Sequence, residues 1–366
     1  MILVIAVGGA SAYFLTKSDT VDISLSSDFP KSQNEKIGLT INTITPPKDI
    51  EEIEESYKIA SSSGIGRTNL YVHWSQLEPE KGNFDWSAAD IMMGLNEKYN
   101  FKTTLFFSVI NADRLGPFPL WMGNQALGKS LEDDTIRVLD AILSRYDKID
   151  YIIFAGDIDY HFQRATGSIP RYEQFFNNVY SEIKIKHPDV MIGNSVSLEN
   201  ILNKGMEPGG SFELTPKLEM GDFIGISYKP TDTVGDINRT PQEALDDFNK
   251  ALDIFSPYNL AFFEISWSTS EFVNGHQDDQ RQFIKNSLDF FNENESNIEF
   301  LTISRLYDKP KGTCVSQEIE SIEGSGFASN SFRLERIDEY ICNSGLIDKN
   351  KNTKPAWSEF KTNIPE

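Results

Sequence analysis

The sequence predicts an α/β fold of the (β/α)8 barrel type, in which eight parallel strands alternate with helices. Two observations predict it. Short β-rich segments alternate with amphipathic helical segments, which indicates βα units and a parallel sheet. The strand starts recur about every 30 to 48 residues, the spacing of one strand, loop and helix in a barrel. A doubly wound open sheet is the alternative that the same alternation allows.

Eight segments carry the strand pattern. In chain order they are 36–44, 67–74, 102–110, 149–156, 190–197, 222–228, 260–267 and 299–307. Between them, apolar residues recur at helical spacing, for example over 136–146, 172–183 and 245–255. We expect these apolar faces to pack on the sheet rather than to form a ligand groove.

The chain opens with an apolar segment, 2–15, which is shorter than the about 20 residues of a membrane-spanning helix. It has the length of the apolar region of a signal peptide, and Ala10, Ser11 and Ala12 are a candidate cleavage site. We therefore expect a signal peptide or membrane anchor over residues 1–16 and a polar tether over 17–35. These segments predict an extracellular or cell-surface protein. A buried first strand is the alternative for the apolar segment.

The barrel is expected over residues 36–361, with an insertion over 312–345 after its eighth strand. The two cysteines of the chain, Cys314 and Cys342, lie near the ends of this insertion. In an exported protein they are candidates for one disulfide, and two free buried thiols are the alternative. Neither their spacing nor the four scattered histidines give a zinc signature, so no metal site is predicted.

The charge of the chain limits its partners. With 34 basic and 55 acidic residues, the formal charge is −21. Such a charge repels phosphate backbones and anionic lipid surfaces, so nucleic acid is not an expected partner. Contact with a membrane is expected only through the N-terminal segment. The sequence leaves the oligomeric state open.

The barrel prediction also gives function a location, because active sites in this fold lie at the carboxyl ends of the strands. The residues that end the predicted strands are His73, Asp157, Asp159, Tyr228, Glu264, Trp267 and Tyr307. Asp157 and Glu264, on strands four and seven, are expected to face each other across the barrel mouth. Two such carboxylates suit glycoside hydrolysis, in which one protonates the leaving oxygen and the other attacks the anomeric carbon.

Three segments resemble retaining glycoside hydrolases with (β/α)8 barrels, which carry catalytic glutamates on strands four and seven. HWSQLEPEKGNFDW, from His73, resembles their second-strand signature, and FFEISWSTS, from Phe262, resembles their nucleophile strand. GLIDKNKNTKPAWSEFK, from Gly345, is similar to their closing segment. The resemblance covers residues 36–361. It implies Glu264 as nucleophile, a β-linked oligo- or polysaccharide as substrate, and no cofactor.

The fourth strand departs from the family pattern of glycine, asparagine and glutamate. AGDID places Gly156 at the asparagine and Asp157 at the acid/base glutamate. An aspartate is one methylene shorter, and the missing asparagine removes a hydrogen bond to the sugar 2-hydroxyl. These departures predict a slow enzyme or none, so an inactive carbohydrate-binding barrel at the cell surface is the alternative function. A phosphate-binding metabolic barrel is disfavoured, because no glycine-rich phosphate loop follows strands seven and eight.

The resemblance also implies binding residues around the two carboxylates. Tyr228 is the expected partner of the nucleophile, and Arg67 the second-strand arginine that keeps it ionised. Trp121 and Trp267 are candidate stacking platforms for sugar rings. The remaining expected binding residues are His73, Asp159 and Tyr307. A packed ring is the alternative for Tyr228, and core packing is the alternative for the tryptophans.

Overall fold

The structure, a computed structural model, describes residues 33–202, 212–315 and 331–365. Eight parallel strands close into a barrel in chain order, with β8 pairing to β1. They are β1 (Asn34–Leu39), β2 (Ile65–Val72), β3 (Lys102–Phe107), β4 (Ile149–Ile153), β5 (Met191–Ser197), β6 (Ile224–Tyr228), β7 (Leu260–Ile265) and β8 (Ile298–Ile303). The predicted (β/α)8 barrel is confirmed. The closing β1–β8 pair excludes a doubly wound open sheet.

Helices surround the barrel and form parts of its loops. In the described residues they are α1 (Ile50–Ser61), α2 (Trp74–Leu77), α3 (Ser87–Lys98), α4 (Lys129–Arg145), α5 (Ile158–Arg164), α6 (Ile169–Lys186), α7 (Leu198–Leu202), α8 (Thr215–Leu218), α9 (Pro241–Phe255), α10 (Gln277–Glu293), α11 (Ser331–Cys342) and α12 (Pro355–Asn363). The short α2, α5 and α7 follow the carboxyl ends of β2, β4 and β5, where they shape the mouth.

The helix α9 shows how local sequence sets these elements. Thr240 caps it by accepting from the Glu243 N–H, while the Glu243 carboxylate accepts from the Thr240 N–H. Proline at the first helical position needs no N–H partner there. The buried face, which holds Phe248 and Phe255, then packs on the barrel as its spacing predicts.

The barrel interior is a separate apolar core from the layer between strands and helices. It is built from Phe106, Ile153, Phe223, Ala261, Phe263 and Phe300, with Tyr71, Tyr151 and Met191 packed against them. These rings fill the barrel below its mouth.

The expected signal peptide or anchor lies outside the described residues, as does the tether up to residue 32. Within the described part of the chain, no helix has the length and apolar character needed to cross a membrane.

A disulfide joins Cys314 to Cys342, so the two free thiols are excluded. It ties the loop after β8 to the end of α11. Asp338 of α11 reinforces the tie by accepting from the N–H groups of Cys314 and Val315. The two sulfurs and the Asp338 carboxylate lie close together, but sulfurs bonded to each other are not free to hold a metal ion. Residues 316–330 of the expected insertion lie outside the described residues.

Candidate active site

A β-bulge in β7 determines how Glu264 is presented. On the β6 side, Ile226 pairs with Phe262 and Ser227 pairs with Glu264, so β7 has one extra residue, Phe263. The register of β7 against β8 shifts over the same stretch. A bulge of this kind re-aims the side chains around it. Phe263 packs inside the barrel, and Glu264, its immediate neighbour, reaches the mouth above it.

The Glu264 carboxylate lies among polar groups from two other strands. Ser304 Oγ, just after β8, donates to Glu264 Oε1 at 3.0 Å. Burial raises the pKa of the Tyr71 hydroxyl, and the Glu264 charge raises it further. Burial lowers the pKa of the Arg305 guanidinium, and the Glu264 charge opposes that change. A hydroxyl donor and a nearby cation both stabilise an ionised carboxylate.

Asp157 follows β4 with a left-handed backbone, φ 48° and ψ 47°. Its buried carboxylate accepts from Ser227 Oγ at 2.6 Å, and Ser195 Oγ lies 3.5 Å from the same oxygen. Burial raises the pKa of Asp157 and the Glu264 charge adds to this, whereas Lys229 and the Ser227 hydrogen bond lower it. The two carboxyl groups therefore interact across the mouth. A carboxyl that stays protonated to higher pH than usual suits a general acid.

The ring of Phe106 occupies the space beside Gly156. A Cβ at Gly156 would lie 2.7 Å from the Cε2 and Cζ atoms of Phe106. This ring is held in place by stacking on Phe263, with centroids 5.6 Å apart, and by contact with Tyr71. An asparagine at position 156 therefore has no room. The departure from the family pattern is built into the packing of the barrel interior.

Asp159 stabilises a neighbouring loop instead of facing the mouth. Its Oδ1 accepts from the Ser197 N–H at 2.9 Å, and its Oδ2 accepts from Asn200 Nδ2 at 2.5 Å. Burial, and then the charge of Asp157, raise the pKa of Asp159 to about 6. These contacts fix the start of α7 after β5.

Glu199 and Lys229 extend the polar cluster beyond the predicted residues. Glu199 lies in α7, and its Oε2 accepts from the Lys229 N–H at 3.3 Å. Burial raises the pKa of Glu199 to about 7, with Lys229 opposing and Asp157 adding to the shift. The Lys229 ammonium is buried, and no group in the described part of the chain hydrogen-bonds it. Lys229 shares a strand face with Ser227, two residues earlier, so alternation in GISYK was the signal that could have found it.

Two aromatic residues expected at the mouth lie under the helices. The Tyr228 hydroxyl donates to Asp247 Oδ2 of α9 at 3.0 Å, and its ring packs against Phe248. Tyr228 therefore points away from Glu264, because alternation gives the inward position to Ser227. Trp267 is buried against Phe283 of α10, with centroids 5.3 Å apart, so it offers no platform to a sugar.

Arg67 and Tyr307 also lie away from the two carboxylates. The Arg67 guanidinium binds both oxygens of Asp150 at 2.7 Å and lies 4.8 Å from the centroid of the Phe300 ring. These partners stand near the strand starts, so Arg67 closes the opposite end of the barrel. Tyr307 is buried, and its pKa is raised to about 12 by burial and then by Glu55 of α1, on the outer side of the barrel.

His73 and Trp121 lie at the rim of the mouth. His73 precedes α2 and, with Tyr71, lines a cavity of about 130 Å³ beside the strand ends. Trp121 Nε1 donates to the Glu78 carbonyl at 3.0 Å, and the Lys81 ammonium lies 5.2 Å from the centroid of its ring. Trp121 thus ties the loop after β3 to the loop after β2.

The tyrosine that interacts with Glu264 comes from β2, not from β6. Arg67, Asn69 and Tyr71 share one face of β2 by alternation. Asn69 Nδ2 donates to the Phe263 carbonyl at 3.0 Å, which meets the bulge from across the barrel. The sequence prediction names neither Asn69 nor Tyr71, because neither residue ends a predicted strand. The alternation of RTNLYVHW was sufficient to place them on the inner face.

Several solved structures of glycoside hydrolases have a similar fold. GH5_18 from Bifidobacterium longum subsp. longum, in complex with Manb1-4GlcNAc, has a TM-score of 0.65 at 12% identity, over 90% of this chain and 77% of that one. GH5_18 from Streptomyces cattleya, in complex with the same disaccharide, gives 0.64 at 11% identity, over 90% and 80%. The exo-beta-1,4-mannosidase Op5Man5 from Opitutaceae bacterium strain TAV5 gives 0.63 at 13% identity, over 93% and 62%. The chain thus has the (β/α)8 fold of clan A-like glycoside hydrolases. No protein-family model and no curated protein matches it.

Proposed function

We propose that the protein hydrolyses β-linked oligo- or polysaccharides by a retaining mechanism, with Glu264 as nucleophile and Asp157 as acid/base. The observation that carries the proposal is the position of these two carboxyl groups at the carboxyl ends of β4 and β7, three strands apart around the barrel. The surrounding groups suit the two roles. Glu264 has a hydroxyl donor and a cation near it, and Asp157 is buried with a raised pKa.

In the first step, Glu264 attacks the anomeric carbon while the glycosidic C–O bond breaks and Asp157 gives its proton to the leaving oxygen. In the second step, Asp157 takes a proton from water, and the water oxygen replaces Glu264 on the anomeric carbon. Ser304 keeps its hydrogen bond to Glu264 and orients it. The product keeps the β configuration because the carbon is inverted twice.

The geometry around Asp157 argues for slow hydrolysis of unactivated sugars. The Asp157 carboxylate accepts a hydrogen bond from Ser227 Oγ, and its side chain is one methylene shorter than that of a glutamate. Displacements of about 1 Å at a catalytic group cost on the order of a hundredfold in rate. Phe106 also fills the space of the asparagine that would bind the 2-hydroxyl. Substrates whose leaving groups need no proton are therefore expected to react fastest.

The test compares the full chain with Glu264→Gln and Asp157→Asn on aryl β-glycosides of several sugars, with good and poor leaving groups. Glu264→Gln is expected to abolish turnover of all of them, and Asp157→Asn to spare mainly those with good leaving groups. Added azide should speed Asp157→Asn by forming a β-glycosyl azide. Glu271→Gln, an exposed glutamate after β7, is the matched control. Turnover that survives Glu264→Gln would contradict the assignment.

A carbohydrate-binding barrel without catalysis is the second candidate. It is favoured by the same two features, the buried Asp157 carboxylate and the Phe106 ring at Gly156. Binding of a glycan by the wild-type protein, with no turnover of any activated glycoside, would establish this function in place of hydrolysis.

The proposed place of action is outside the cytoplasm. Support comes from the apolar segment 2–15 and from the Cys314–Cys342 disulfide, since disulfides persist in oxidising compartments. Cell fractionation and mass spectrometry of the mature N-terminus test this. Cytoplasmic protein with reduced thiols would contradict it.

A further inference from the structure

Three basic side chains, Lys229, Arg305 and Lys309, lie in the segments that follow β6 and β8. Among the described residues, no carboxylate forms an ion pair with Lys229, Arg305 or Lys309. The strands that carry them flank β7, so the three cations stand on both sides of Glu264. This arrangement is unusual in a chain with a formal charge of −21, where acidic partners are abundant.

Of the three basic side chains, Lys229 has the greatest need of an anionic partner. Its ammonium is buried and has no hydrogen bond, although it interacts with the charges of Asp157 and Glu199. Asp157 already accepts a hydrogen bond from Ser227 Oγ. The pKa of Glu199 is raised to about 7, so Glu199 carries only part of its negative charge near neutral pH. A buried ammonium without a hydrogen bond is unfavourable until a ligand supplies one.

Arg305 and Lys309 add to the same positive region. Of the acids near Arg305, Asp308 binds the Lys354 ammonium at 2.8 Å and Asp338 accepts backbone N–H groups, which leaves Glu264 as its main acidic neighbour. The charge of Arg305 also lowers the pKa of Lys309, after the larger effect of burial. Two like charges held close together favour an anion between or beside them.

We propose that the saccharide bound at this mouth carries an anionic group, a carboxylate or a sulfate ester, which binds the Lys229 ammonium. The inference rests on the proposed function, because it names the substrate class of the same site. Arg305 and Lys309 supply further positive potential on the other side of Glu264. The acidic surface does not oppose this locally, since exposed charges are screened beyond about 8 Å at physiological salt.

Binding is measured with the full-length Glu264→Gln variant, which holds saccharides without cleaving them. Calorimetric titrations use matched neutral, uronic-acid and sulfated oligosaccharides. A hydrogen bond to a charged group contributes about 1.5 to 3 kcal/mol, so acidic members should bind about ten to a hundred times more tightly than neutral ones. Lys229→Met is expected to remove this preference, and Lys229→Arg to keep part of it. Lys361→Met, an exposed lysine of α12, is the control and should keep all of it.

Thermal unfolding of Lys229→Met shows whether a loss of binding reflects a loss of fold. Because the ammonium makes no hydrogen bond among the described residues, the unfolding midpoint of Lys229→Met is expected to stay close to that of the parent. The uronic-acid and sulfate members identify which anion is preferred. Equal binding of neutral and acidic saccharides, an acidic preference that survives Lys229→Met, or no binding of any acidic saccharide would overturn the inference.

Two results separate this inference from the proposed function. Glu264-dependent turnover of neutral glycosides without an acidic preference overturns the inference and leaves the hydrolase. Lys229-dependent binding of acidic saccharides by a protein that turns over no glycoside supports the inference and overturns the hydrolase.

Discussion

At the scale of single residues, the backbone of Asp157 accounts for its side chain. A left-handed conformation costs most L-residues about 1 to 2 kcal/mol, and aspartate and asparagine tolerate it best. The φ of 48° therefore favours aspartate over glutamate at this position. The conformation also turns the carboxylate onto Ser227, inside the mouth.

Substitution of Asp157 by glutamate is accordingly expected to destabilise the protein without restoring a fast acid. We expect Asp157→Glu to lower the free energy of unfolding by about 1 to 2 kcal/mol, and Asp157→Asn to lower it less. Denaturant unfolding of both variants and the wild type measures this difference. A Glu variant as stable as the wild type and faster on poor leaving groups would show that the backbone does not select the aspartate.

The buried carboxyl of Glu199, whose pKa is raised from 4.5 to about 7, makes the stability of the protein depend on pH. Below pH 4.5 the carboxyl is protonated in both folded and unfolded states, so burial has no cost. As pH rises from 4.5 to about 7, the carboxyl ionises in the unfolded state but stays protonated in the folded state, so stability is lost, and above about 7 the loss levels off because the folded carboxyl ionises too. The loss approaches about 3 kcal/mol, from 1.36 kcal/mol per pKa unit.

Glutamine at position 199 does not titrate, so the stability of Glu199→Gln relative to wild type should rise by about 3 kcal/mol between pH 4 and pH 8. Denaturant unfolding at several pH values measures the difference. Glu271→Gln, whose side chain is exposed, should show a constant difference from wild type. A constant difference for Glu199→Gln as well would contradict the raised pKa.

At the scale of elements, the bulge in β7 depends on a residue from the other side of the barrel. The Phe263 carbonyl accepts from Asn69 Nδ2 at 3.0 Å. Loss of a hydrogen-bond partner in a buried position costs about 1 to 3 kcal/mol. Asn69 thus holds the backbone that carries Glu264 and acts as a positioning residue.

Asn69→Ala is expected to lower kcat about tenfold or more with little change in KM, as well as stability by about 1 to 3 kcal/mol. Asn96→Ala is the control, because Asn96 is equally buried but bonds to Thr103 away from the mouth. It should lose stability and keep kcat. Equal effects of both variants on kcat would mean that Asn69 acts only through stability.

The same element shows what a sequence can and cannot predict here. The barrel and its strand ends follow from strand spacing, because βα units repeat along the chain. The inward positions of Tyr71 and Ser227 follow from the alternation of side chains along a strand. The same alternation places Tyr228 on the outer face, under α9, and not at the mouth where the sequence prediction puts it. The bulge cannot be read from FFEISW, since it exists only in the pairing of β7 with β6 and β8. The contact of Phe106 with Gly156 is equally tertiary.

In the whole molecule, the barrel closes with its first and last strands side by side, and α11 packs on the segments that follow β6 and β7. The Cys314–Cys342 disulfide ties the end of α11 to the loop after β8, and Arg305 Nη1 donates to Cys314 Sγ at 3.6 Å. The disulfide therefore stabilises the chain and also contacts Arg305, the cation whose pKa responds to the charge of Glu264.

Removal of the disulfide is therefore expected to change the stability of the chain and the environment of Arg305. The two cysteines are 28 residues apart, and a closed loop of that size stabilises a protein by roughly 3 to 4 kcal/mol in the chain-entropy treatment. The Cys314→Ser, Cys342→Ser double variant should lose about this much free energy of unfolding. Wild type treated with dithiothreitol should lose the same amount, and the reductant should leave the double variant unchanged. If Arg305 also depends on the disulfide, the double variant will lose affinity for acidic saccharides more than for neutral ones, at temperatures where it is folded. If the wild type is equally stable with and without reductant, the disulfide makes no contribution to the stability of the barrel.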